Sequence, residues 1–185
     1  MKTAGVLALQ GDFEAHRKAL ERCGARAVEV RTAAELASCD GLVLPGGEST
    51  TMLKLIEAEN LVEWLRAFAQ EKPVYGSCAG AILLARDVSH PVQPSLDFID
   101  IGVERNGYGR QIDSRIAKVT AEKGGEFEAV FIRAPIIRRV GPGVQVLARY
   151  EGAPVWVEQG PHMVTTFHPE LTDDLRVHRH FVEKL

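Results

Sequence analysis

A cysteine, a histidine and a carboxylate can together cleave an acyl bond. The thiolate attacks, the imidazole moves the proton, and the carboxylate holds the imidazole in one tautomer. The cysteine that best fits this chemistry is Cys78, in the stretch Val74-Tyr75-Gly76-Ser77-Cys78-Ala79-Gly80. Pro73 to Tyr75 reads as the end of a buried strand and Ala79 to Ala85 as the start of a helix. Small residues flank one nucleophile where the strand must turn sharply, which is the nucleophile-elbow pattern with Cys in place of Ser. The turn demands unusual backbone angles, so its neighbours must lack bulk. It places the sulfur at a helix N-terminus, where the dipole favours negative charge. The same residues also suit a buried structural cysteine at a tight strand–helix packing point.

A nucleophile needs a base. His168 follows the apolar run Met163 to Phe167, and Glu170 follows two residues later. On an extended segment, residues i and i+2 point to one side. Pro169 is expected to hold the segment out of helix, so that Glu170 reaches His168. The alternative is a loop histidine with a nearby surface acid. His16, His90, His162, His178 and His180 are read as residues without a catalytic part, and His178 and His180 fall on different faces of the last helix, a poor metal pair. Cys23 and Cys39 are read as small core residues. Three cysteines in irregular spacing make neither a disulfide framework nor a metal site, so no metal is expected.

An acyl transfer also needs donors for the developing oxyanion. Pro45-Gly46-Gly47 supplies unobstructed backbone, and the N–H groups of Gly47 and Ala79 are the natural pair. A Gly-Gly peptide also rotates cheaply. Read as a phosphate loop, GGEST lacks the Walker lysine, and Glu48 would repel phosphate.

The elements that must position these groups follow in order. Ala4 to Leu9 is an unbroken apolar strand, then Gln10-Gly11-Asp12 turns into a helix ending at Cys23, with Asp12 able to cap it. Ala27 to Arg31 is a second strand. Thr32 and Glu35 are spaced as a capping box for a short helix to Ser38. Asp40 to Leu44 is the third strand, and helices over Thr51 to Glu57 and Leu61 to Gln70 lead to the elbow. This β–α alternation predicts a three-layer α/β fold: a flavodoxin-like, doubly wound, mostly parallel sheet. Ligands bind such sheets at the carboxyl ends of the strands, so the loops QGD, PGGEST and GSCAG are expected to converge. Beyond Arg86, Asp87 to Asp97 reads as a loop, Phe98 to Glu104 as a strand, and Arg105 to Gln111 as a loop. Ile116–Ala121, Glu128–Ile132, Val144–Tyr150, Pro154–Glu158 and Met163–Phe167 read as strands, partly antiparallel, and Thr172 to Leu185 as helix.

With 185 residues and no linker or repeat, residues 1–185 are expected to form a single domain. A net charge of −3 gives no case for nucleic acid, and no apolar run approaches the ~20 residues of a membrane span. The N-terminal apolar run lacks a signal-peptide cleavage pattern, which points to the cytoplasm.

The stretches GVLALQGDFEAH, LVLPGGESTTM, GSCAG, VERNGYGRQIDS, FIRAPII and FHPELTDD span nearly the whole chain. In them the chain resembles the class I (triad) glutamine amidotransferases, and within these the PdxT/SNO family of pyridoxal 5′-phosphate synthase glutaminases. Ser77 stands where the family commonly has Thr, and Gly107-Tyr108 where Ala-Phe is common. The resemblance implies glutamine hydrolysis through a γ-glutamyl thioester on Cys78, with His168 as base and acid and Glu170 as its partner. It implies that Gly46, Gly47, Glu48, Arg105, Ile132 and Arg133 bind L-glutamine, and that Gln10 supports the oxyanion loop. Glu48 would hold the α-ammonium and an arginine the α-carboxylate. It implies a (β/α)8-barrel synthase subunit as partner, and no cofactor, since pyridoxal phosphate is the complex's product. Other readings are the glutaminase of another triad amidotransferase, a stand-alone Cys hydrolase on a related fold, or a binding module with a dead triad.

Overall fold

The computed structural model describes residues 1–106 and 114–185; of the expected Arg105–Gln111 loop, Gly107 to Gln111 lie outside the described residues. The first half alternates as its apolar pattern dictates: β1 (Thr3–Leu7), α1 (Phe13–Arg22), β2 (Arg26–Val30), α2 (Ala33–Ala37), β3 (Gly41–Leu44), α3 (Ser49–Ala58), α4 (Val62–Glu71), β4 (Val74–Ser77) and α5 (Ala79–Leu84). The second half holds β5 (Ala85–Ser89), β6 (Ile99–Glu104), β7 (Ser114–Ala121), β8 (Glu126–Ile132), β9 (Ile136–Val140), β10 (Gln145–Tyr150), β11 (Ala153–Gln159) and β12 (His162–Thr165). A 3-10 turn (Pro169–Leu171) and α6 (Arg176–Lys184) complete it.

Among the described residues, nine strands form one sheet in the order β2-β1-β3-β4-β12-β11-β10-β7-β8. Neighbours from β2 to β12 pair in parallel, and those from β12 to β8 antiparallel. The parallel half is the flavodoxin-type order, with β12 as its fifth strand. Side chains alternate across it, as period two requires. Leu7, Leu42, Leu44, Val74 and Val164 pack on the face covered by α2 to α5, where Leu36, Met52, Ile56, Leu65 and Leu83 are buried. Val6, Val43, Tyr75 and Met163 pack on the other, with Leu20 of α1 and Val177 and Phe181 of α6. Sheet and two coverings make the three layers.

Several expectations shift. The capping box of α2 is present, with both Thr32 and Glu35 bonded as predicted. Asp12 stands at the N-cap of α1, yet its side chain caps nothing; its N–H donates instead to Gly46 O at 3.2 Å. The first strand ends at Leu7, and the last helix starts only at Arg176. The stretch read as a loop from Asp87 begins inside β5, and β9 had no counterpart in the sequence reading. These two flank β6 in a separate three-stranded sheet. Polar residues are tolerated there because charge pairs lie across it: Arg139 reaches Asp100 at 2.8 Å and Asp87 at 2.7 Å.

Candidate active site

β1, β3, β4 and β12 are neighbours in the sheet, so the loops leaving their carboxyl ends meet at one edge. There they enclose a cavity of about 810 Å³. Gln10, Gly46, Gly47, Glu48, Cys78, Ala79, Arg105, Ile132, Arg133 and His168 all line it. Glu170 does not; it lies behind His168 with its side chain fully buried.

Cys78 has φ 50° and ψ −103°, a conformation that costs a residue with a Cβ about 1–3 kcal/mol. The elbow is held on both sides. Cys78 N–H donates to Thr165 O at 2.9 Å, and Ser77 Oγ donates to Phe167 O at 3.3 Å. A Cβ on Gly76 would run into the backbone of Gly80, and one on Gly80 into Leu44 O. Those two glycines let strand, helix and β3 approach closely enough to form the turn. The thiol donates to Ile132 O at 3.7 Å. The end of β8 is drawn over the site because His168 N–H donates to Val130 O at 2.8 Å.

His168 Nδ1 is 2.7 Å from Glu170 Oε1. The contact exists for a different reason from the one expected. The segment is not extended; Pro169 opens a 3-10 turn, where its missing N–H costs nothing, and the turn swings Glu170 back under the ring. Burial works to lower the His168 pKa, but Cys78 and Glu170 outweigh it and push it up to about 10. Burial likewise opposes ionisation of Glu170, and His16 and His168 outweigh it, holding the carboxyl at about 2. His168 Nε2 is buried and, among the described residues, makes no hydrogen bond within ordinary distance, although the Cys78 thiol is close enough to raise the ring's pKa.

The Gly46–Gly47 loop is packed against its neighbours. A Cβ on Gly46 would strike the His168 ring, and one on Gly47 would strike the Gln10 amide. Gln10 Oε1 accepts from Glu48 N–H at 3.0 Å. Gly46 O accepts from Asp12 N–H at 3.2 Å, so in the planar trans peptide Gly47 N–H points the opposite way. Ala79 N–H is the first amide of α5 and has no acceptor within the helix.

Glu48 is the N-cap of α3, accepting from Thr50 N–H at 3.2 Å and Thr51 N–H at 2.6 Å. Arg105 Nη2 donates to its Oε1 at 3.1 Å. Burial opposes its charge, but these donors together outweigh it and hold its pKa at about 2. The two residues assigned to opposite ends of an amino acid are thus paired with each other. Arg133, at φ 44°, stands at the cavity wall beyond β8.

Two residues the sequence reading set aside are here. His16 on α1 and His178 on α6 are both 0% exposed, and His16 Nε2 is 3.3 Å from Glu170 Oε2. Helical spacing places each on the apolar face of its helix, beside Ala19 and Leu20 or Val177 and Phe181. Nothing in the sequence says that the two faces meet.

A solved structure described as a glutamine amidotransferase matches 98% of this chain and 97% of its own, at TM-score 0.92 and 46% identity. PurLQS from Thermotoga maritima shares the fold at TM-score 0.74 and 15% identity, over 99% of this chain and 96% of that one. The architecture is that of the glutamine amidotransferases. Within them, the chain belongs to the SNO glutamine amidotransferase family, whose model matches residues 6–185. It is 58% identical to pyridoxal 5′-phosphate synthase subunit PdxT of Solibacter usitatus over the full length of both. It is 50% identical to the PdxT of Thermus thermophilus, over 97% of this chain and 95% of that one.

Proposed function

We propose that this chain is the glutaminase subunit of a pyridoxal 5′-phosphate synthase, hydrolysing L-glutamine to L-glutamate and ammonia for a synthase subunit. One observation carries the reading: a strained Cys78, a His168–Glu170 contact of 2.7 Å and a Gly-Gly-Glu loop converge on one cavity in a chain of this family.

Cys78 Sγ attacks the side-chain amide carbon of glutamine, and the carbonyl oxygen becomes an oxyanion between Gly47 N–H and Ala79 N–H. His168 Nε2–H protonates the amide nitrogen, the C–N bond breaks, and ammonia leaves a γ-glutamyl thioester. Water then attacks with His168 taking its proton, and glutamate departs as the thiol re-forms. Glu170 accepts from His168 Nδ1 throughout and keeps Nε2 aimed at the sulfur. Glu48 and Arg105 open their mutual contact to take the α-ammonium and α-carboxylate. Ile132 and Arg133 close the far wall, and Gln10 holds the oxyanion loop.

In this reading residues 1–185 act as one glutaminase domain, in the cytoplasm, against a (β/α)8-barrel synthase subunit, with no cofactor of its own. Nothing in it calls for nucleic acid or a membrane; among the described residues no helix is long and apolar enough to span one. The test is ammonia release from glutamine by the chain with its synthase subunit. Cys78→Ala is expected to abolish it while the fold survives. Release by that variant, or its loss in Cys39→Ala, would overturn the assignment.

A further inference from the structure

Behind Glu170 lies a polar group that the reaction does not touch. His16 Nε2 is 3.3 Å from Glu170 Oε2, and His16 Nδ1 is 2.9 Å from His178 Nε2. The other Glu170 oxygen is 2.7 Å from His168 Nδ1. A line of close polar contacts therefore runs from α6 through α1 to the base: His178, His16, Glu170, His168. Two fully buried imidazoles side by side are expensive where apolar side chains would fill the space.

We propose that His16, its tautomer set by His178, is the positioning residue of Glu170: its Nε2–H faces Oε2 and keeps Oε1 turned toward His168. This rests on the triad reading above.

The proton assignment follows from what each atom can do. A carboxylate only accepts, so the His16 nitrogen facing it must carry the proton. Neutral His16 then has a lone pair at Nδ1, and His178 Nε2 must donate to it. His178 is left with a bare Nδ1, which has no hydrogen-bond partner among the described residues. Both rings are neutral in this scheme. Burial pushes the His16 pKa down against the pull of Glu170, and burial with His16 takes His178 down to about 3. What reaches the carboxylate is thus an N–H dipole. At 3.3 Å the contact is not an aligned hydrogen bond, and it holds Oε2 electrostatically.

Among the described residues, the Glu170 backbone N–H also favours the carboxylate charge, and the other groups packed here are engaged elsewhere. Tyr75 of β4 lies edge-on to both rings, at 5.9 and 6.3 Å between centroids. Its hydroxyl is 2.8 Å from Thr165 Oγ1, which itself donates to Phe167 O, so the Tyr75 proton is committed. Cys78 and His168 act from the cavity side, and Asp12 and Arg22 reach the pair only at a distance, through His16 and His178 respectively.

The experiment uses the chain in complex with its synthase subunit, with active sites titrated by an alkylating glutamine analogue. His16→Phe is expected to lower kcat about tenfold, at the low end of what a donor to a charged group contributes because the contact is electrostatic rather than an aligned hydrogen bond, and to leave KM for glutamine unchanged. The acid limb of its kcat profile is expected to move to higher pH, because Glu170 protonates more readily without its donor. His16→Gln, which keeps an N–H within reach, is expected to recover most of the rate. His178→Phe is expected to cost less, and nothing further when added to His16→Phe, since it acts through His16. In the unmutated chain, nitrogen chemical shifts of labelled histidine are expected to show His16 protonated at Nε2 and bare at Nδ1. Protonation at Nδ1 instead would overturn the proposal, whatever the variants do. So would an unmoved acid limb in His16→Phe, a loss that Gln does not relieve, or additive losses. An active Cys78→Ala in the same assay would instead sink the triad reading itself.

Discussion

The front and the back of this site solve one problem in opposite ways. Each holds a carboxylate at a pKa of about 2. At the front, the Glu48 side chain is 50% exposed and satisfied by two backbone amides and Arg105. At the back, the Glu170 side chain is 0% exposed and faces His16 and His168, with its own backbone N–H also stabilising the charge. A half-exposed charge can trade partners with water or an incoming solute at little cost, so the front can rearrange to bind. A buried charge that loses a partner finds no replacement. The back is therefore suited to holding a geometry through turnover.

Four variants break or sharpen that contrast. His168 joins front to back, and His168→Asn is expected to lower kcat about a thousandfold, measured as single-turnover ammonia release. A variant keeping a tenth of the rate would mean that another base serves Cys78. Glu170→Gln removes the back's charge but leaves the imidazole, and a loss of about a hundredfold in kcat at unchanged KM is expected. Equal losses in the two would mean Glu170 does more than orient. Glu48→Gln is expected to act at the front alone: KM for glutamine up about tenfold, with Cys78 alkylation by a small reagent unchanged. Unaltered KM would remove Glu48 from the substrate's ammonium.

The smallest effect concerns stability. His178 ordinarily titrates near 6.5 but only at about 3 in the fold. As pH falls through that window the unfolded chain takes a proton that the native state refuses, so native stability drops. Glu170 continues the loss from 4.5 toward 2, because there the unfolded carboxyl protonates first. His178→Phe is expected to flatten the decline of Tm between pH 6.5 and 4.5, while Glu48→Gln leaves that slope alone. A parallel decline in His178→Phe and the unmutated chain would show that the back carries no such penalty.

What could be read in the sequence was local. The elbow is legible because its glycines, Cys78 and the change of period all fall within a few residues. The Thr32–Glu35 box is legible for the same reason. The His168–Glu170 contact was anticipated by spacing, although a 3-10 turn rather than an extended segment makes it. β5 and β9 escaped because Arg86, Asp87, Arg138 and Arg139 look like loop until their partners across the small sheet are known. Glu48 was read for its charge, and its capping of α3 went unnoticed. His16 and His178 lie 162 residues apart, and no periodicity reports which helix meets which.

The place of β12 in the sheet has a consequence for how the molecule is made. This strand pairs with β4, nearly ninety positions earlier, in register Met163 with Tyr75 and Thr165 with Ser77. It is the seam between the parallel and antiparallel halves. During synthesis Cys78 emerges long before the strand that supports its backbone and delivers His168. α1 must likewise wait for α6 before His16 is enclosed. Such distant closures are slow, because chain entropy is spent before contacts reward it. A nascent chain that has already folded its first five helices is therefore unarmed, and hydrolytic competence arrives only with the last strand and helix.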